Sequence, residues 1–217
     1  LNRMDKKKSI CITNGFNPSD FLLSNQGYTA KSDEHMIRVV YTGVWRPGYG
    51  PDDLYNAIKY LKDNNSESLL KLKVVMAGFS IGRAKDLGID DIVEELGRVT
   101  HEEAIQLMES ASVLYLPVSK GVYEKASIPG KLFEYLGCGR NILASTYQDS
   151  EVAGVLNVVG GSKIVPPGDI AVLSSFLEEL CNRSFTEFFP EKNDIALEEF
   201  TRKNLTHKLA ILFDSIG

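Results

Sequence analysis

The chain has 217 residues, 43% hydrophobic and 24% charged, which is ordinary for a globular protein of one large domain or two small ones. A net charge of −5 argues against a nucleic-acid binder held by charge, and no apolar run reaches the length of a membrane span. Cys11, Cys138 and Cys181 lie far apart and are odd in number, and His35, His101 and His207 are scattered, so neither a disulfide framework nor a metal-ligand spacing is expected.

Asn2–Lys8 is polar and Lys-rich, the composition of a linker or surface segment. Ile37–Thr42 reads as a buried strand, and Asp52 or Asp53 starts a helix through Leu54, Ala57, Ile58 and Leu61. Leu72–Ala77 is the next strand. Asp90–Leu96 reads as a weak helix and Leu96–Val99 as a short strand. Thr100 and Glu103 form a capping box for a helix whose apolar face is Ala104, Leu107 and Met108. Val113–Pro117 is a further buried strand, and Asn141–Ser145 another. A short helix is expected near Glu151–Leu156, with brief strands at Val158-Val159 and Ile164-Val165. Pro166-Pro167-Gly168-Asp169 starts a helix through Leu173, Phe176 and Leu180. After a break at Pro190, Ile195–Ile216 reads as one long amphipathic helix.

Strands and helices in alternation, with continuous apolar strands, predict a parallel Rossmann-like sheet covered by helices on both faces, an α/β fold. Such sheets bind ligands at the carboxyl ends of their strands. The loops Gly43–Pro51 and Val118–Ala126 lie at such ends.

The most informative segment runs from Ser127 to Gly139. Ser127 can cap the first turn of a helix, Pro129 suits that turn, and Gly137 or Gly139 ends it. Leu132, Phe133, Tyr135 and Leu136 leave almost no polar face, so the helix is expected to be buried with Glu134 inside it. A buried carboxylate costs several kcal/mol, roughly, unless it is paired. Two partners stay open on the helix alone: a cation from elsewhere in the protein, or a ligand. Gly130, Lys131 and Glu134 share a helix face, and a helix start with a lysine suits phosphate. Glu134 lies about 6 Å further along the axis, where a ribose diol beside that phosphate would reach it.

Taken in order, these segments resemble the C-terminal domain of a GT-B glycosyltransferase of the family 4 type. Ile10–Phe21 resembles the family's linker, a short strand followed by Asn-Gly; Tyr41-Thr42-Gly43 resembles its first strand, and Gly97–Glu103 its turn beside the base. Ile128–Gly139 resembles its donor-binding helix, and Val165–Asp169 its later turn. Nearly the whole chain is covered. The resemblance implies a linker over residues 1–25, a donor-binding domain over 26–194 and a C-terminal helix over 195–217, with the acceptor domain preceding them.

The resemblance also implies site residues. Glu134 matches the family glutamate that bonds the ribose; Gly130, Lys131 and Leu132, after Ser127 and Ile128, match the helix start that meets the diphosphate; Arg98 and Val99 match the backbone beside the base. Gly43 closes the first strand, and Arg46 matches a phosphate-neutralising arginine. The sequence departs from the pattern at Ala126, where the family has its other glutamate, and at Tyr49, where it has a lysine; Glu124 stands near enough to replace the former. The implied activity is sugar transfer from a UDP- or GDP-sugar, retaining and without an essential metal or a cofactor beyond the donor. This chain alone is expected to bind donor without turnover. An epimerase of the same fold and a non-catalytic nucleotide-binding domain are the alternatives. No nucleic-acid partner is implied; a cytoplasmic location is expected, with contact at the inner membrane surface left undecided.

Overall fold

The apolar runs pair into one sheet because each lacks a polar face to show to water. The computed structural model describes residues 10–22, 36–45, 50–118, 124–182 and 188–215. In chain order these form α1 (Ser19–Leu22), β1 (Ile37–Thr42), α2 (Asp52–Asp63), a 3₁₀ turn (Glu67–Lys71), β2 (Leu72–Ala77), α3 (Arg83–Asp86), β3 (Val93–Gly97), α4 (His101–Glu109) and β4 (Val113–Pro117). There follow α5 (Gly130–Cys138), β5 (Asn141–Ser145), α6 (Glu151–Val159), β6 (Ser162–Val165), α7 (Ile170–Asn182), α8 (Asp194–Glu198) and α9 (Arg202–Asp214). All the strand pairs are parallel, in the order β3-β2-β1-β4-β5-β6, so the chain reverses direction across the sheet between β1 and β4. That reversal is where an open α/β sheet forms its ligand crevice.

Alternate side chains divide the core into two layers. Val39, Tyr41, Val74 and Met76 pack with Leu54, Ile58, Leu173 and Leu177 of α2 and α7. Val40, Val75, Leu114 and Leu116 pack with Met108, Phe133, Leu136 and Leu156 of α4, α5 and α6. The Thr100 capping box forms as expected: Glu103 N–H donates to the Thr100 hydroxyl at 3.2 Å, and Thr100 N–H donates to the Glu103 carboxylate at 2.7 Å. Among the described residues no helix is long and apolar enough to cross a membrane.

Several local expectations are corrected. The weak helix over Asp90–Leu96 is absent, and the strand expected at Leu96–Val99 is Val93–Gly97 instead. Pairing to β2 decides this: Val93 faces Val74 and is buried, while Glu94 and Leu96 alternate outward. Val158-Val159 ends α6, because Val152, Leu156 and Val159 form one helix face against the core. No strand forms over Ile10–Gly15; Phe16 makes a single bridge with Thr201. The long helix over Ile195–Ile216 is two helices. Thr201 caps the second, and the backbone between them is taken by Phe16, whose N–H donates to Phe200 O at 3.1 Å and whose carbonyl accepts from Arg202 N–H at 2.8 Å. Asn2–Lys8 lies outside the described residues.

Candidate functional site

At the sheet reversal, the end of β1, the end of β4 and the start of α5 enclose a cavity of about 340 Å³, in the range of small-molecule sites. Its lining includes Tyr41, Gly43, Val44, Pro117, Ser127 and Lys131. Among the described lining residues, Lys131 is the cation. Its ammonium donates to the Thr42 hydroxyl at 3.2 Å, lies 5.8 Å from the Tyr135 ring centroid, and faces Glu134 Oε2 at 3.7 Å. Burial lowers the lysine's proton affinity, and the neighbouring Glu134 charge works against that lowering. A lysine held this way gains from an anionic ligand.

The start of α5 departs from the expected cap. Pro129, not Ser127, is the N-cap, with an extended backbone (φ −67°, ψ 139°), and no side chain caps the helix. Pro129 therefore stands before the first turn instead of inside it. The amides of Gly130 and Lys131 have no described acceptor, and Ser127 lies exposed in the cavity wall. Such unpaired amides at a helix start favour anions.

Glu134 is also corrected. It was expected inside an apolar rod, but its side chain is 49% exposed. Leu132, Phe133, Tyr135 and Leu136 are buried against the sheet layer, while Gly130, Lys131 and Glu134 form the stripe that is left open. The cation it faces comes from its own helix, three residues back, not from elsewhere in the protein. The helix ends at Gly139 (φ 71°); Gly137 lies inside it and leaves room for the Phe16 and Phe21 rings.

Neighbouring residues support this arrangement, and apart from Gly43 the sequence did not single them out as site residues. The Tyr135 hydroxyl accepts from Thr42 N–H at 3.1 Å and so fixes the end of β1 next to Lys131. Burial pushes the Tyr41 phenol up to about 12, which keeps its proton for donation to Val44 O at 3.0 Å. Gly43 leaves the space these groups occupy: a Cβ there would sit 2.6 Å from the Tyr41 hydroxyl and 3.2 Å from Lys131 Cε. Asn14, in the Asn-Gly of the linker segment, places its amide nitrogen 3.4 Å from where a Gly130 Cβ would stand. Asp53 accepts from Gly168 N–H at 2.7 Å and ties the Pro166–Asp169 turn to the start of α2. A sequence shows little of this, because apart from the local Tyr41–Val44–Gly43 contacts these join segments far apart in the chain.

Tyr135→Phe leaves the buried Thr42 N–H without its acceptor, so it is expected to lower stability by about 1–3 kcal/mol. A thermal melt of the variant measures this, and an unchanged melting temperature contradicts the role assigned to the hydroxyl.

The structure does not bring every expected residue to this cavity. Arg98 is exposed and Val99 half-buried just beyond β3, two strands away from β1, about 10 Å at ordinary strand spacing. Gly97 is tied to the neighbouring loop, accepting from Gly78 N–H at 2.7 Å. Ile128 packs on the α4–α6 side of the core. Glu124 is half-buried in a turn with Lys125 and Ala126. That turn is held by an ion pair of Lys125 with Asp149 at 2.7 Å and by Glu151 N–H donating to Lys125 O at 2.8 Å. Arg46 and Tyr49 lie outside the described residues. Trp45 is half-buried, its ring N–H 3.5 Å from Asp52 Oδ1.

No family model matches the chain, and no curated protein sequence matches it. Solved structures do. Anabaena Alr3699/HepE in complex with UDP superposes with a TM-score of 0.69 at 15% identity, covering 97% of this chain and 58% of that one. A glycosyltransferase from Rickettsia africae ESF-5 gives 0.70 at 13% identity, over 99% of this chain and 59% of that one. Sucrose-phosphate synthase from Thermosynechococcus elongatus gives 0.61 at 15% identity, over 95% and 51%. At such identities the likeness is one of fold: the Rossmann-like α/β fold of one half of a GT-B glycosyltransferase. The chain spans less than two thirds of the length of these structures.

Proposed function

We propose that this chain is the donor-binding half of a glycosyltransferase that moves a sugar from a UDP- or GDP-sugar to an acceptor held by another part of the protein. The observation that carries this is the cation Lys131 at an uncapped helix start, beside the Thr42 hydroxyl and with Glu134 on the same open stripe. The diphosphate takes the helix amides and Lys131. The ribose diol reaches Glu134, about 6 Å along the axis. The base lies toward Arg98 and Val99, across β2 and β3. HepE is known with UDP and with UDP-glucose bound, which supports a nucleotide in a fold of this kind.

In the transfer step, the bond between the sugar and the diphosphate breaks and negative charge grows on the leaving phosphate. Lys131 and the amides of Gly130 and Lys131 are fixed donors aimed at that charge, which stabilises the transition state more than the bound substrate. Arg46 joins them in this proposal, and transfer is retaining and needs no metal. This chain alone binds donor without turning it over, because the acceptor is held elsewhere.

Calorimetry of UDP and GDP against this chain tests the assignment. One of the two is expected to bind at millimolar concentration or below, and Glu134→Ala is expected to weaken it roughly tenfold, the loss of charged hydrogen bonds to the diol. Absence of binding by both, or an unchanged affinity in Glu134→Ala, refutes the ribose assignment.

A further inference from the structure

Lys131 and Glu134 face each other across the open stripe of α5, with ammonium and carboxylate 3.7 Å apart and side chains 26% and 49% exposed. Thr42 and the Tyr135 ring hold the ammonium from the other sides, and no second cation among the described residues lines this cavity. Among the described residues, an anion arriving at the start of α5 therefore meets the attraction of one lysine and of the helix-start amides and, within a helical turn, the repulsion of one carboxylate. An ionised carboxylate only accepts hydrogen bonds. Inorganic phosphate or diphosphate, largely ionised near neutral pH, offers it almost nothing in return for that repulsion. A ligand that carries a diol next to its diphosphate offers two hydroxyl donors, which replace the ammonium as the partner of Glu134.

We infer that Glu134 is a specificity-determining residue: it screens Lys131 from bare phosphates and so reserves the site for ligands that bring a diol together with a diphosphate. The inference rests on the nucleotide assignment above and deepens it. Selection works by repulsion as much as by attraction. The wrong ligand is left facing a charge it cannot satisfy.

The test is calorimetry of sodium pyrophosphate, UDP and GDP against the wild-type chain and Glu134→Gln, at low and at moderate salt. At a separation of about 6 Å the removed repulsion corresponds to roughly a threefold to tenfold gain in pyrophosphate affinity at low salt. That gain is expected to shrink as salt rises. The preference for the nucleotide over pyrophosphate is expected to fall by at least about threefold in the variant. Pyrophosphate binding that becomes detectable only in Glu134→Gln has the same meaning. A pyrophosphate affinity that does not rise in Glu134→Gln, or a preference that stays the same or grows, overturns the inference while leaving the nucleotide assignment standing. If the wild type binds neither UDP nor GDP, the assignment itself falls and the inference falls with it. Because Glu134 is exposed, the variant is expected to melt with the wild type, and a coincident melt shows that the comparison is between folded proteins.

Discussion

Lys131→Ala is expected to weaken binding of UDP or GDP by about tenfold to a hundredfold, the range for removing a charged hydrogen bond of about 1.5–3 kcal/mol. The ammonium stands at the helix start, within 3.2 Å of Thr42, and burial keeps its field from being fully screened. The same burial gives the prediction a pH signature. Lys131 holds its proton less tightly than a free lysine of 10.5, and Glu134 only partly offsets this. A bound anion favours the charged form, so nucleotide binding draws a proton onto the lysine as the pH rises. Affinity is therefore full below the lowered value and declines through it, earlier on the alkaline side than an ordinary lysine would allow. Titrations across alkaline pH read this decline in the wild type, and Lys131→Ala is expected to lose it. An affinity unchanged by the substitution contradicts the placement of the phosphate. Among the described residues the removed side chain has the Thr42 hydroxyl and the exposed Glu134 as polar partners and the Tyr135 ring at 5.8 Å, so stability is expected to change less than affinity.

Gly78→Ala is expected to be the most damaging small substitution among those near the site. Gly78 has φ 106°, a conformation that side chains rarely adopt, and a Cβ there would sit 2.2 Å from the Gly43 carbonyl oxygen. Two costs combine: backbone strain, and displacement of a strand end that is itself bonded to its neighbour, since Gly43 N–H donates to Ala77 O at 2.8 Å. We expect a loss of about 3 kcal/mol or more. For a chain of this size that lowers the melting temperature by roughly 6–12 °C. Gly82→Ala is the contrasting case. Its φ of 73° is left-handed but milder than that of Gly78, and nothing lies within 4 Å, so only a strain of about 1 kcal/mol applies. Equal losses in the two variants would show that the approach of Gly43 to Gly78 is unimportant. Because Gly43 also lines the cavity, nucleotide affinity is expected to fall in Gly78→Ala and to hold in Gly82→Ala.

The amino-acid sequence by itself determined the element types and their order wherever one local rule dominated. The apolar runs at Ile37–Thr42, Leu72–Ala77, Val113–Pro117 and Asn141–Ser145 are strands at the expected bounds, because a segment without a polar face has few other ways to bury itself. Thr100 and Glu103 fixed a helix start, because a capping box is satisfied within four residues. The pairing of Gly130, Lys131 and Glu134 on one stripe followed from helix spacing alone. Only the tertiary structure decided which side of that stripe faces water. The apolar count around α5 predicted burial of Glu134, yet the sheet covers one side of a helix and leaves the other open. The same holds for β3, which is a strand because β2 offers it partners, and for the break before α9, which exists because Phe16 takes the backbone there. It holds as well for Thr42, Tyr135 and Gly78, whose roles depend on contacts between distant segments. Local rules act over one or two turns of chain, whereas exposure, pairing and close approach are set by whatever the fold brings alongside.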